Sequence, residues 1–214
     1  MKIQHLFLLI LLLVSCKKKD TEVSISGRVY DPDLKEYVAS ATVVLSGNGL
    51  QAGVYVPGFA RIATTTTDAS GNFSFPLTRD KVDKYRLQIN KDMYFENTIE
   101  FSATVFDNST KYEKEVSLRP SGFVQIHLKN AYPSDDDDFV VFYFTNCAED
   151  CIDCCVKTPR NGYGPAFDTT FTCRFYGNRK INFLRSVTKD LHTNVFADSL
   201  FCKAFETQYY EVLY

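Results

Sequence analysis

From Val23 onward the apolar residues recur at every second position in short runs broken by turn residues, and no long helical period appears. Successive side chains of a strand point to opposite faces, so this alternation predicts half-buried strands and argues against a helical bundle. Val23, Ile25 and Val29 share one face of a first strand, with Gly27 between them, and Asp31-Pro32-Asp33 breaks the run. Val43 and Leu45 line the next, then Phe73 and Phe75, then Tyr85, Leu87 and Ile89, then Ile99, Phe101, Val116 and Leu118. Roughly seven strands in this space is the number expected of an immunoglobulin-like or transthyretin-like sandwich.

Leu118-Arg119-Pro120-Ser121-Gly122 punctuates the chain and predicts a boundary. Beyond it the period of two resumes at Val124, Ile126 and Leu128, then Val140, Phe142 and Phe144, then Phe171, Cys173 and Phe175, then Ile181 and Phe183. Gly177-Asn178 reads as a hairpin turn between the last two runs. Tyr209-Tyr210-Glu211-Val212-Leu213-Tyr214 predicts a paired C-terminal strand. The expected fold class is therefore all-β: two β-sandwich domains over residues 23–118 and 119–214, the second cysteine-rich.

The N-terminus has a different character. Lys2 is followed by an uninterrupted apolar run from Leu6 to Val14, shorter than the roughly 20 residues a membrane-crossing helix needs. This is the pattern of a cleaved export signal. At its end, Leu13-Val14-Ser15-Cys16 resembles the lipobox of bacterial lipoproteins. That resemblance implies removal of residues 1–15, acylation of Cys16 and a mature chain of 214 − 15 = 199 residues. Residues 16–22, with Lys17-Lys18-Lys19-Asp20, then read as a lipidated polar tether, and lysine followed by acidic residues resembles the surface-export signal of Bacteroidetes lipoproteins. The implied location is a bacterial membrane, the outer one by expectation, with its face left open.

Gly27-Arg28-Val29-Tyr30-Asp31, Ala39-Ser40-Ala41-Thr42-Val43-Val44-Leu45, Thr67-Asp68-Ala69-Ser70-Gly71-Asn72-Phe73 and Tyr85-Arg86-Leu87 occur in that order. Together they resemble the carboxypeptidase regulatory-like domain, which implies a non-catalytic sandwich used as a spacer or binding module. Residues 46–60, with Gly47, Gly49, Gly53 and Gly58, form an insert longer than that family's usual connection and are a candidate contact loop. The second domain resembles no family.

With Cys16 assigned to the lipid, the six remaining cysteines (Cys147, Cys151, Cys154, Cys155, Cys173 and Cys202) all fall in the second domain. An even count in an exported domain predicts disulfides, and six cysteines permit about fifteen pairings. A Cys173–Cys202 bridge across the core is the pairing expected here. Zinc on Cys147, Cys151 and Cys154 is the rival, weakened by the lack of a second ligand pair at finger-like distance. Ser134-Asp135-Asp136-Asp137-Asp138 lacks the alternating spacing of a calcium loop and reads as a solvated acidic loop.

His127 and His192 look like surface residues, and no nucleophile elbow, metalloprotease helix or phosphate loop is present. A net charge of −2 argues against a nucleic-acid binder. No cofactor is called for. The expectation is a membrane-anchored, non-catalytic module that docks a protein or glycan through residues 46–60 and 147–165. The alternative is an enzyme or enzyme inhibitor built from the cysteine-rich loop with Tyr163, Asp168 or His192.

Overall fold

A computed structural model describes residues 22–51, 54–79, 82–146, 154–155 and 158–214. Residues 1–21, which hold the leader, Cys16 and all of the tether but Glu22, lie outside the described residues, as do Cys147 and Cys151. Among those described, nearly every regular element is a strand and no helix is long and apolar enough to cross a membrane.

The first sandwich is built around β1 (Glu22–Asp31) and β3 (Thr42–Gln51). β1 pairs antiparallel with β5 (Asn72–Thr78) on one edge and parallel with β8 (Lys111–Ser117) on the other, while the two-residue β2 (Glu36–Tyr37) continues the β5 edge. In the facing sheet the order is β4-β3-β6-β7, with β4 Val54–Thr66, β6 Val82–Asn90 and β7 Asn97–Ser102. A short 3₁₀ turn, Ala103–Phe106, caps that end. The alternating residues meet between the sheets: Ile25, Val29, Val43, Leu45, Leu87, Ile89 and Leu118 are completely buried. Each such aliphatic side chain contributes about 1.5–3 kcal/mol by leaving water.

Among the described residues the second sandwich repeats this arrangement, except that no strand corresponds to β2. β9 (Ser121–Lys129) lies between antiparallel β12 (Asp168–Tyr176) and parallel β15 (Thr207–Leu213), as β1 lies between β5 and β8. The facing sheet runs β11-β10-β13-β14, matching β4-β3-β6-β7, with β10 Phe139–Phe144, β11 Arg160–Tyr163, β13 Arg179–Lys189 and β14 His192–Cys202. Its core is more aromatic. Phe142 packs against Phe144, Phe171 and Phe183 at ring separations of 5.2, 5.7 and 5.2 Å.

The turn motif Thr67-Asp68-x-x-Gly71-x-Phe73 has a role at each named position. Buried Thr67 donates its hydroxyl to the Val38 carbonyl and accepts the Ala41 amide, tying the β4 exit to the β2–β3 connection. Asp68 accepts the Ser70 and Asn72 amides at 2.8 Å each. Gly71 has φ +75, and a Cβ there would lie 2.7 Å from the Val29 carbonyl oxygen, so both conformation and space select glycine. Phe73 then enters the core.

Gly177-Asn178 corrects a sequence expectation. It does not close a hairpin, because β12 pairs with β9 whereas β13 pairs with β10 and β14, so the chain crosses there from one sheet to the other. Asn178 does take the positive φ of a tight turn, 55°, but the Gly177 amide donates to the Pro120 carbonyl. A Cβ on Gly177 would meet the Ala204 backbone at 2.5 Å. Close approach at the crossing selects this glycine.

Only Leu118, Arg119 and Pro120 separate β8 from β9, and the sandwiches grip one another across that step. Asp33, with its side chain 14% exposed, sits between Arg119 at 3.1 Å and Arg179 at 3.2 Å. Phe95 meets Tyr176 edge-on at 4.7 Å and lies under the Arg174 guanidinium at 4.0 Å. Arg174 also donates to the Tyr94 carbonyl at 2.7 Å, and the Tyr94 ring packs on Phe205. Burial, helped by the Asp31 charge, pushes the Tyr94 phenol up to about 12.

Candidate functional site

The outer face of the β12-β9-β15 sheet carries a group of four interacting ionisable residues, His127, Lys129, Asp168 and Glu211. Register places Thr170 and Glu211 on either side of His127, and Asp168 and Leu213 on either side of Lys129. The imidazole is clamped: Nδ1 lies 2.9 Å from Glu211 Oε1 and Nε2 lies 2.7 Å from Asp168 Oδ1. Lys129 Nζ reaches the other Asp168 oxygen at 2.9 Å. Hydrogen bonds to Asp168 and then Glu211 raise the His127 pKa, while Lys129 and His127 lower that of Asp168. Both ring nitrogens are thus engaged by carboxylates, and the ring bridges three strands.

This grouping departs from the sequence expectation. His127, read from the sequence as a surface residue, belongs to the site, whereas Asp168, offered in the alternative reading as one of Tyr163, Asp168 or His192, is held by His127 and Lys129. His192 is exposed at the β13–β14 turn, opposite Lys189, and Tyr163 is exposed on β11, stacked on Phe139. The partners of His127 are 41 and 84 residues away in sequence, brought into line by strand register alone.

The cysteines resolve differently from the expected pairing. Cys173 bonds to Cys155, across a separation of 18 residues, and Cys154 is also disulfide-bonded. The expected Cys173–Cys202 bridge does not form. The Cys155 amide donates to the Arg174 carbonyl at 3.2 Å, which seats Cys155 beside β12 and next to Cys173. Cys202 ends β14 in the opposite sheet, where its sulfur packs against Gly122. It is a free thiol with no exposed surface, and burial pushes it up to about 11. Among the described residues no three His, Cys, Asp or Glu side chains group as metal ligands. Beside the disulfide a cleft of about 380 Å³ opens between Phe142, Phe144, Cys155, Pro159 and Arg160.

The two candidate contact segments also have definite forms. Residues 46–60 are largely paired strand, the far end of the β3–β4 hairpin with register shifts at Leu45/Ser46 and Gly47/Gly49, and Val54 and Tyr55 are exposed there. Gly53 lies outside the described residues, as does most of the 147–157 stretch. The acidic run is not uniformly solvated. Asp135, Asp136 and Asp137 face water, but Asp138 is fully buried and accepts from Ser134, Asn130 and Lys189. Those hydrogen bonds, Ser134 first, hold its carboxyl far below the usual carboxylate range.

No protein-family model and no curated protein matches the chain. Solved structures give distant likenesses. The Bacillus anthracis TIE protein shares 12% identity at a TM-score of 0.39, over 90% of this chain and 34% of that one. The chain thus spans about a third of that protein's length. A shaft pilin SpaA mutant from Lactobacillus rhamnosus GG shares 10% identity at 0.32, over 90% of this chain and 96% of that one. A mutant catechol 1,2 dioxygenase of Acinetobacter radioresistens shares 14% identity at 0.34, over 47% and 52%. At these scores none of them assigns an activity.

Proposed function

We propose that this chain is a lipid-anchored, non-catalytic structural or binding module: two sandwich domains of one topology, carried on Cys16 and presented to a protein or glycan partner. The observation that carries this reading is the junction. Asp33 between two arginines, and Phe95 between Arg174 and Tyr176, make the two sandwiches a braced pair suited to holding a binding surface at a distance. The engagement of both His127 nitrogens by carboxylates supports the non-catalytic side, because a general base needs a free nitrogen beside a nucleophile. The first sandwich carries the motif that resembles the carboxypeptidase regulatory-like domain, and its residues there serve turn geometry and packing.

Three acyl chains, each methylene adding about 0.8 kcal/mol on burial, would hold the chain on a membrane. Fractionation of cells producing the wild-type chain and Cys16→Ala tests the anchor. The wild type is expected in the membrane pellet and the variant in the soluble exported fraction. Equal pelleting of both contradicts the anchor.

A further inference from the structure

The ends of β9, β10 and β13 bring a primary amine, a carboxamide and a carboxylate into one buried cluster. Lys189 Nζ donates to Asn130 Oδ1 at 2.8 Å, so the amine nitrogen touches the oxygen of the amide carbonyl. Asn130 Nδ2 donates to Asp138 Oδ2 at 2.7 Å, and Lys189 Nζ lies 3.3 Å from that same oxygen. Asp138 is fully buried, Asn130 is 5% exposed, and the Lys189 side chain is 22% exposed. The backbone locks the three in place. Lys189 also donates to the Tyr132 carbonyl, Asn130 Nδ2 also donates to the Gly164 carbonyl at 3.1 Å, and Ser134 holds Asp138 through its amide at 2.9 Å and through its hydroxyl. The Tyr214 ring lies 5.3 Å from the Lys189 ammonium.

Salt bridges of this kind ordinarily do no more than pin a loop. What sets this one apart is the position of one oxygen. Asp138 Oδ2 contacts both the nitrogen that must lose a proton for the amine to become a nucleophile and the nitrogen that must gain one to leave as ammonia. We infer that Lys189 and Asn130 are a self-modification site, at which the lysine amine displaces the asparagine amide nitrogen to form an intramolecular isopeptide bond, with Asp138 relaying the proton. The hydrogen bonds that hold the Asp138 carboxyl low keep the resting pair ionised, so the reacting form is the minor state in which the Lys189 ammonium has passed a proton to that carboxylate. The freed Nζ lone pair then attacks Asn130 Cγ. The Cγ–Nδ2 bond breaks, Asp138 returns the proton to the departing nitrogen, and the second Nζ proton leaves with it. Lys–NH3+ and Asn–CONH2 become Lys–NH–CO–Asn and NH4+, with no oxidant, reductant or cofactor.

Amide aminolysis is slow in water, but a fixed amine and carbonyl gain the rate advantage of an intramolecular reaction, with effective molarities of about 10⁵–10⁸ M in favourable cases. Burial also keeps competing water from the carbonyl. The product would join the end of β9 to the end of β13, and so tie the two facing sheets of the second sandwich by a covalent bond.

The test is mass spectrometry of the reduced, alkylated and trypsin-digested full-length protein. Lys129 and Lys157 bound the peptide that holds Asn130, and Arg185 and Lys203 bound the peptide that holds Lys189. The expected result is one branched peptide, Asn130–Lys157 joined to Ser186–Lys203, lighter than their sum by about 17 Da, one ammonia. Cleavage after Lys189 should be blocked. In Lys189→Arg, which keeps the cation and its hydrogen bonds, and in Asp138→Asn, the branched peptide should be absent. Separate peptides of unmodified mass from the wild type, or Asn130 converted to aspartate without a link, would overturn the inference. So would a branched peptide that persists in Lys189→Arg.

Discussion

At the scale of single residues, environment separates side chains that composition treats alike. Four consecutive aspartates divide into three that face water and one, Asp138, that is buried among an amide, a hydroxyl and an amine. His127 shows the consequence for pH. Its folded pKa is raised above the ordinary value, so its stabilising contribution is complete below about pH 6.5 and is lost as pH rises through the higher folded value. Asp168 has the opposite sign: its pKa is lowered, so its contribution is present above the ordinary value of 3.8 and lost as pH falls through the folded one. Melting temperatures measured from pH 5 to pH 9 should therefore fall across the upper part of that range, and His127→Gln should flatten the decline. An unchanged profile in the variant would contradict the clamp. Cys202 gives a second residue-level prediction. Its buried thiol should resist alkylation in the native protein and react fully once the protein is unfolded, and rapid native labelling would show it to be exposed.

At the scale of elements, the alternation of apolar residues was legible because it is local: Val124, Ile126 and Leu128 declare a strand face without reference to anything else. Which strand lies beside which was not legible. Register joins His127 to residues 41 and 84 positions away, and no local signal carries that distance. Gly177-Asn178 has hairpin chemistry, yet the two strands it connects find their partners in different sheets. The disulfide was hidden for a related reason, since the strand-like period marks Cys173 as inward-facing but the sequence around Cys155 has no period to read. Cys155→Ser should remove the restraint of an 18-residue separation, at a cost of about 3 kcal/mol. Paired with Cys173→Ser to avoid a stray thiol, it should lower the denaturation midpoint of the oxidised protein and leave that of the reduced protein nearly unchanged. Leu87→Ala, at a completely buried position of β6, should cost about 2–5 kcal/mol by chemical denaturation.

At the scale of the whole molecule, two sandwiches of the same strand order are braced through a three-residue step. If the brace transmits stability, Phe95→Ala, which removes the contacts to Tyr176 and Arg174, should separate one calorimetric unfolding transition into two. A single transition, unchanged in width, would mean that the sandwiches are coupled by other contacts. The brace gives the molecule a shape to present, and Cys16 is the proposed point from which it is presented. The mass of the N-terminal peptide of the mature protein, isolated from membranes, tests that claim most directly. The account predicts a chain that begins at Cys16 and carries the added mass of acyl groups on that residue. A chain that still begins at Met1, or one cut elsewhere with an unmodified Cys16, would contradict it.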